Sequence, residues 1–464
     1  MSAPLLVYGL GRSGGAVVAR ARAEGEEVVF VDARAQGDDV DAAERLGARR
    51  VADAAAALRL PVAPTTCVAA PGVPIDHPDL VALRATGVEV IGEVVWLLRR
   101  APAPTIGITG TAGKGTVTRW TADVLLAAGI EAVAGGNLDP ALSAVARPGA
   151  TLVVELSSFQ LERAPGLRPD VAVVLNLGVD HLDRHGDLAT YHAAKHHLVR
   201  DLGPDATFVA NADDPLVAAW AARSRARVRR FSLAADAGAD AWWDRAGGHL
   251  MLDGRPLVRA DELRVRGPHL IADALAVALA ADAMGAPRAA IAAGLRAFGG
   301  LPGRHVEVGR LGGVRFVDDS IATRPLAVEA ALRACDPPVV WLAGGVDKGA
   351  EVGALAEALR DRVVLTLGIG ASGRAYADAA AAFAAAEVAP SGDGAATLAW
   401  AVRRAYGHLR DAHDGHGTVL LAPLAASFDQ FRDYAHRGGV FRDAVTALAA
   451  ATATEEGVVW TPSS

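Results

Sequence analysis

The chain reads as an α/β protein built on parallel sheets, and two observations carry that reading. Short, fully apolar runs end in Gly, Asp or Asn, as in Leu5–Gly9, Val28–Asp32, Thr105–Thr109 and Thr151–Leu156. Longer Ala/Leu/Arg segments with helix-forming composition follow them. Strands without polar alternation are buried on both faces, which is the condition of a parallel sheet covered by helices. The same rhythm continues through Val171–Asn176, Thr207–Asn211, Val314–Asp318, Val339–Ala343 and Val363–Leu367.

Size and composition set the scale. A length of 464 residues corresponds to about three domains at about 100–200 residues each. The Pro-rich stretch RRAPAP, 99–104, and the Gly/Pro stretch FGGLPG, 298–303, divide the chain into 1–100, 101–298 and 299–464. The segment 231–268 breaks the pattern and reads as a small antiparallel hairpin insertion in the middle domain. The Ala-rich run Ala377–Ala386 reads as helix. Hydrophobic residues at 52% and charged residues at 21% describe an ordinary globular chain with a large core. The net charge of −7 argues against nucleic-acid binding by bulk electrostatics and against a basic membrane-surface protein. No apolar window is long enough for a membrane span. The N-terminus reads as a first strand and not as a signal peptide. Two cysteines, Cys67 and Cys335, exclude a disulfide scaffold and a CxxC zinc site, and they fit a reducing cytoplasm.

Element by element, the glycines carry the chemistry. Gly9-Leu-Gly11-Arg-Ser13-Gly14 follows the first strand and opens a helix, with Asp32 at the end of the next strand. Glycines let the backbone approach a diphosphate, and the helix N-terminus offers N–H donors to it. Gly107–Thr116 (GITGTAGKGT) joins a strand to a helix expected to begin near Val117. It departs from the strict phosphate-loop pattern at Ile108 and at Gly115, and Thr116 supplies the hydroxyl one position late. Lys114 suits β- and γ-phosphates. Glu155 ends an apolar strand, where an acid near a phosphate loop suits Mg²⁺. Asp180-His181-Leu-Asp183-Arg184-His185 follows another strand, and Lys195 lies in a helical segment, YHAAK. In the last domain Asp319 leaves a strand, with Thr323 expected in the first turn of a helix. Lys348 sits in the loop GGVDKG, and Ser427-Phe428-Asp-Gln-Phe431 resembles a loop-to-helix anion site.

These blocks together resemble the Mur ligases, over about Leu5 to Phe441. ELSSFQLE, 155–162, and SFDQF, 427–431, are similar to the glutamate-adding branch of that family. The resemblance implies a Rossmann-like UDP-binding domain, a phosphate-loop ATPase domain and a Rossmann-like C-terminal domain. It implies ATP-dependent addition of glutamate to UDP-N-acetylmuramoyl-L-alanine through an acyl phosphate, in the cytoplasm, by a monomer that neither enters the membrane nor binds nucleic acid. Gly110, Thr111, Gly113, Lys114, Gly115 and Thr116, with Arg304 and Asp319, are expected at ATP. Thr116, Glu155, His181 and Lys195 are expected to hold two Mg²⁺ ions, Lys195 as a carbamate. Lys114, Glu155, His181 and Lys195 form the expected catalytic group. Ser13, Asp32, Arg34, Gly72, Asn137 and Ser157 are expected around the UDP-linked substrate. Thr323, Lys348, Ser427, Phe428 and Tyr434 are expected around glutamate. The sequence departs from the family pattern at Ala112, Leu270, Asp273, Gly303 and Ile321. The last of these keeps L-glutamate addition open as an alternative to D-glutamate, and a catalytically silent UDP-muropeptide-binding relative is the third reading.

Overall fold

Three sheets organise the chain in a computed structural model, which describes residues 2–34, 36–234, 238–265, 267–347, 349–452 and 460–462. The first sheet has five parallel strands, in the order Arg49–Arg50, Val28–Val31, Leu5–Tyr8, Thr66–Ala69, Glu89–Ile91. Strand order reverses beside Leu5–Tyr8, so a crevice opens at the carboxyl end of that strand, the usual ligand position of a doubly wound sheet. The glycine-rich turn lies there.

The second sheet has nine strands. Ala132–Gly136, Thr151–Glu155, Thr105–Thr109, Val171–Val174, Thr207–Asn211, Arg227–Ser232 and Ala241–Asp244 run parallel in that spatial order. His249–Leu252 and Arg255–Arg259 then extend the sheet antiparallel. The segment expected as an insertion is thus an edge of the main sheet, because Ala241 pairs directly with Phe231. Central strands are buried end to end, Ile106 and Ile108 completely so, each contributing about 2 kcal/mol by burial.

These two sheets share one unit, Met1–Phe298. A single apolar cluster runs from Val7 and Phe30 through Trp96 and Leu97 to Leu152, Val154 and Phe208. Polar bonds join the sheets too: Arg20 Nη1 donates to the carbonyl of Ala146 at 2.9 Å, and the Gly92 N–H to that of Arg163 at 2.8 Å.

The second unit, Gly299–Ser464, holds a seven-stranded sheet. Ala385–Val388, Val363–Gly368, Val339–Ala343, His416–Leu421 and Gly313–Asp318 run parallel, and Val306–Leu311 and Trp460–Pro462 close one edge antiparallel. Three local expectations are corrected here. The helix expected over Ala377–Ala386 is Gly373–Ala380, and Ala385 and Ala386 join an edge strand paired with Leu365 and Thr366; available backbone partners overrule alanine's helix preference. Thr323 precedes its helix, which starts at Pro325. Proline holds Arg324 out of the helical region (φ −128°, ψ 150°) and fits the first helical position itself. After Ser427 the chain turns through a loop, and the helix begins at Tyr434.

Candidate active site

The phosphate loop leaves the buried strand Thr105–Thr109 and enters the helix Lys114–Ala127, three residues earlier than the sequence suggested. Gly113 makes this possible. Its φ of +82° is left-handed, and a Cβ there would lie 2.7 Å from Asp273 Oδ1. Asn176, just past the strand Val171–Val174, clamps the loop. Its Oδ1 accepts from the N–H groups of Thr111 (3.0 Å) and Ala112 (2.8 Å), and its Nδ2 donates to the Ala112 carbonyl. Thr111 Oγ1 accepts from the Gly178 N–H at 2.8 Å and lies 3.2 Å from the Tyr191 hydroxyl.

Two lysines meet at one carbonyl. Lys114 Nζ donates to Gly110 O at 2.9 Å and to Thr111 O at 3.0 Å, and Lys195 Nζ donates to the same Gly110 O at 2.7 Å. Lys195 stands on the helix Leu188–His196, 1% exposed, with its amine 4.8 Å from the centre of the Tyr191 ring. Burial, and then the Lys114 charge, pull its pKa down to about 6 against the opposing pull of Glu155. At neutral pH the amine is therefore largely unprotonated. Glu155 ends the strand Thr151–Glu155. Its Oε1 accepts from Asn137 Nδ2 at 2.7 Å, while its Oε2 is buried with no hydrogen-bond partner. A buried carboxylate oxygen in that state is stabilised by a cation. Thr116, also buried, sits in the first turn of the phosphate-loop helix. Among the described residues no three His, Cys, Asp or Glu side chains gather as a complete metal cage. Mg²⁺ fits a sparser set, because it keeps water and phosphate oxygens as ligands.

His181 occupies left-handed backbone (φ 52°) at the start of the short helix Leu182–His185, and its N–H donates to Asp180 Oδ1 at 2.9 Å. Its ring centre lies 4.8 Å from that of Phe159 and 6.2 Å from that of Tyr191. Burial lowers its pKa, Asp183 opposes this, and the Lys114 charge lowers it further, so the neutral ring is favoured, with Nε2 3.4 Å from Asp180 Oδ2. His185 is fully covered, 3.2 Å from Glu162 Oε1 and 3.0 Å from Ser158 Oγ. Ser157 is committed locally. It caps the helix Ser158–Leu161 in a capping box with Gln160, a structural use of the SSFQ block.

The first sheet presents a cleft of about 500 Å³ lined by Gly9, Gly11, Asp32, Arg34, Gly72 and His77 among others. Asp32 Oδ2 accepts from the Leu10 N–H at 2.8 Å, and its Oδ1 accepts from the Arg34 N–H and Nε, each at 2.9 Å. The Arg34 guanidinium holds the Asp32 carboxyl down at about 2 despite burial. Gly14 keeps the turn tight: a Cβ there would fall 2.1 Å from Gly9 O. The Gly72 loop is held from the second sheet. Arg184 Nη2 donates to Val73 O at 2.8 Å, and the buried Arg163 donates to the same carbonyl. Ser13 Oγ faces Glu93. Arg12 Nη2 donates to Asn137 O at 2.7 Å, which links the glycine-rich turn to the Asn137–Glu155 pair.

In the second unit Asp319 is buried just beyond the strand Gly313–Asp318, its Oδ2 3.7 Å from His305 Nδ1. Burial lowers the pKa of His305, but the neighbouring Asp319 and Cys335 outweigh it and raise it to about 9. Arg304 and Thr323 are half-buried, Ser427 is buried, and Phe428 and Tyr434 are exposed. Lys348 lies outside the described residues. Arg437, 1% exposed, ties two loops together by donating to the carbonyls of Ser320 (2.9 Å) and Ala425 (3.1 Å).

The structure therefore gathers Lys114, Thr116, Glu155, His181 and Lys195 around the phosphate loop, and Asp32, Arg34 and Gly72 around the first cleft. It sets Ser157 apart as a cap. Sequence reasoning missed Asn176, Tyr191, Arg163 and Glu93 as site-building residues. Asn176 carried a signal, as a polar residue closing an apolar strand.

Comparison with known proteins follows the same lines. Residues 108–281 match the Mur ligase middle domain, and residues 303–423 match the Mur ligase glutamate ligase domain. The chain is 42% identical over 462 residues to a UDP-N-acetylmuramoylalanine–D-glutamate ligase of Thermus thermophilus, covering 99% of each. It is 44% identical over 452 residues to the ligase of the same name from Deinococcus radiodurans, covering 96% of this chain and 92% of the relative. Among solved structures it resembles the UDP-N-acetylmuramate–alanine ligase of Thermotoga maritima (TM-score 0.60, 19% identity, 96% of this chain and 100% of that one). It also resembles a MurF ligase of Thermotoga maritima in complex with ADP (TM-score 0.55, 17% identity, 91% and 96%).

Proposed function

The chain belongs to the Mur ligase family, and from that premise we propose that it adds D-glutamate to UDP-N-acetylmuramoyl-L-alanine at the expense of ATP, in the cytoplasm and as a monomer. The observation that carries the mechanism is the meeting of Lys114 and Lys195 at the Gly110 carbonyl, beside a Glu155 carboxylate with one oxygen unsatisfied.

The chemistry follows from charge. A carboxylate must approach a triphosphate, and the two repel. The N–H groups of Gly113 and of the first turn of the helix Lys114–Ala127, with the Lys114 ammonium, hold the β- and γ-phosphates. A substrate carboxylate oxygen then attacks the γ-phosphorus, ADP leaves, and an acyl phosphate forms. The glutamate amine attacks the acyl carbon, and phosphate departs as the amide closes. Thr116, Glu155 and His181 would hold Mg²⁺, whose charge, when bound, neutralises the developing phosphoryl oxygens. Lys195 fits carbamylation. Its neutral amine adds to CO₂, a proton leaves the nitrogen, and the product is an anion that attracts metal where an ammonium would repel it. Asp32, Arg34 and Gly72 bind the UDP part of the substrate, and Ser13 and Asn137 face its diphosphate and sugar. Arg304 and Asp319 contact ATP. Thr323, Lys348, Ser427, Phe428 and Tyr434 bind the incoming glutamate, Lys348 through a carboxylate.

The test is ADP release with UDP-N-acetylmuramoyl-L-alanine, ATP and Mg²⁺, run with D- and L-glutamate side by side. Turnover that requires the UDP-substrate and D-glutamate supports the reading. Turnover with L-glutamate alone moves the enzyme to the L-adding branch, and none with either enantiomer rejects the assignment. Lys195→Ala should lose most activity and regain part of it with a short-chain carboxylic acid in the buffer.

A further inference from the structure

Glu93 is a buried acid that no step above uses. It opens the helix Glu93–Arg100 and is 3% exposed. Its Oε1 accepts from the Ser143 N–H at 2.7 Å, and its Oε2 accepts from the Ser13 hydroxyl at 2.5 Å. Ser13 lies in the first turn of the helix Gly11–Ala23, at the glycine-rich turn. The charged groups facing Glu93 are Arg12, on that helix, and Arg163, across a small shared cavity. Both guanidiniums are engaged elsewhere, Arg12 with the Asn137 carbonyl and Arg163 with the carbonyls of Phe159 and Val73.

The hydroxyl of Ser13 has one proton, and in this arrangement it is given to Glu93. A diphosphate offers only acceptors. Ser13 can donate to it and keep its bond to Glu93 only if the proton in the Ser13–Glu93 bond comes from the carboxyl instead. We propose that Glu93 is a proton-linked positioning residue: binding of the UDP-linked substrate places a proton on its carboxyl, which then donates to Ser13 Oγ and frees the Ser13 hydroxyl for the diphosphate. The Ser143 N–H still bonds Oε1 in both states, so the side chain need not move. Burial already raises the Glu93 pKa against the opposing bonds from Ser13 and Ser143 and the Arg12 charge, and two phosphate charges raise it further. The inference rests on the UDP-substrate reading above.

The experiment is titration calorimetry of the full chain with UDP-N-acetylmuramoyl-L-alanine, without ATP, in buffers of different ionisation enthalpy. This ligand's diphosphate is a diester with no ionisation near neutrality. Wild type should take up about one proton per substrate where free Glu93 is ionised, and affinity should fall up to about tenfold per pH unit there. Glu93→Gln mimics the neutral carboxyl, its oxygen accepting from Ser143 and its amide donating to Ser13. It should take up no proton, show a flat pH profile, and bind more tightly than wild type at pH 8. Binding without uptake in wild type, or equal uptake in Glu93→Gln, overturns the proposal and leaves the function standing. Failure of wild type to bind the substrate overturns both. The wild-type proton count is independent of how any variant folds.

Discussion

Replacing Lys195 by methionine should stabilise the first unit while abolishing ligation. Burial takes this amine from its ordinary 10.5 to about 6. Between those values the unfolded chain binds a proton that the folded chain does not, so wild-type stability rises as pH rises from about 6 to about 10.5. The burial penalty is about 5 kcal/mol at pH 7 and about 2 kcal/mol at pH 9. Methionine has no proton to lose. It forfeits one hydrogen bond, about 1 kcal/mol, while Gly110 O keeps its bond from Lys114. The net gain is about 4 kcal/mol at pH 7 and about 1 kcal/mol at pH 9. For a unit of about 300 residues, the larger figure is a rise of about 6 °C in midpoint. Scanning calorimetry in CO₂-free buffer at both pH values measures it. A lower midpoint for Lys195→Met at pH 7, or a gap that does not shrink at pH 9, refutes the claim that a desolvated neutral amine sits against the phosphate loop.

Glu155→Gln keeps the Asn137 contact but loses the charge. Stability should change by less than about 1 kcal/mol while ligation falls at least about 100-fold, read as ADP release over a Mg²⁺ titration. Gly113→Ala forces a left-handed alanine against Asp273 and should cost about 1–2 kcal/mol, with a higher KM for ATP in the same assay. Asp32→Asn should destabilise the first sheet by about 1 kcal/mol at pH 7, because half-exposed Arg34 is partly screened by solvent. That contribution exists above the ordinary carboxyl pKa of 3.8 and disappears as pH falls through about 2. Acid titrations of wild type and variant, followed by circular dichroism, should converge there.

The parts of the fold legible in the sequence were those with strong local patterns. Apolar strands such as Thr105–Thr109 and Val339–Ala343 stand where their composition put them, because burial on both faces leaves no room for polar residues. Strands such as Ala132–Gly136 and Ala385–Val388 are too rich in Ala and Gly to show themselves, and they form because a neighbouring edge supplies backbone partners. The site divides the same way. Lys114 and Glu155 follow from position, one in a glycine loop and one at a strand end. Glu93 does not, since its importance lies in a bond to a residue 80 positions away, and Asn176 shows only as a polar residue closing an apolar strand, its bonds to the loop 64 residues away being invisible in the sequence. Ser157 shows the converse: its block was legible, but its side chain serves the helix it caps.

In the proposed reaction the chain activates a substrate carboxylate by phosphorylation before forming an amide. That activation is tested most directly with UDP-N-acetylmuramoyl-L-alanine carrying ¹⁸O in its carboxylate. If an acyl phosphate forms, the phosphate released with each amide carries one ¹⁸O from that carboxylate. Phosphate released without label would rule out an acyl phosphate.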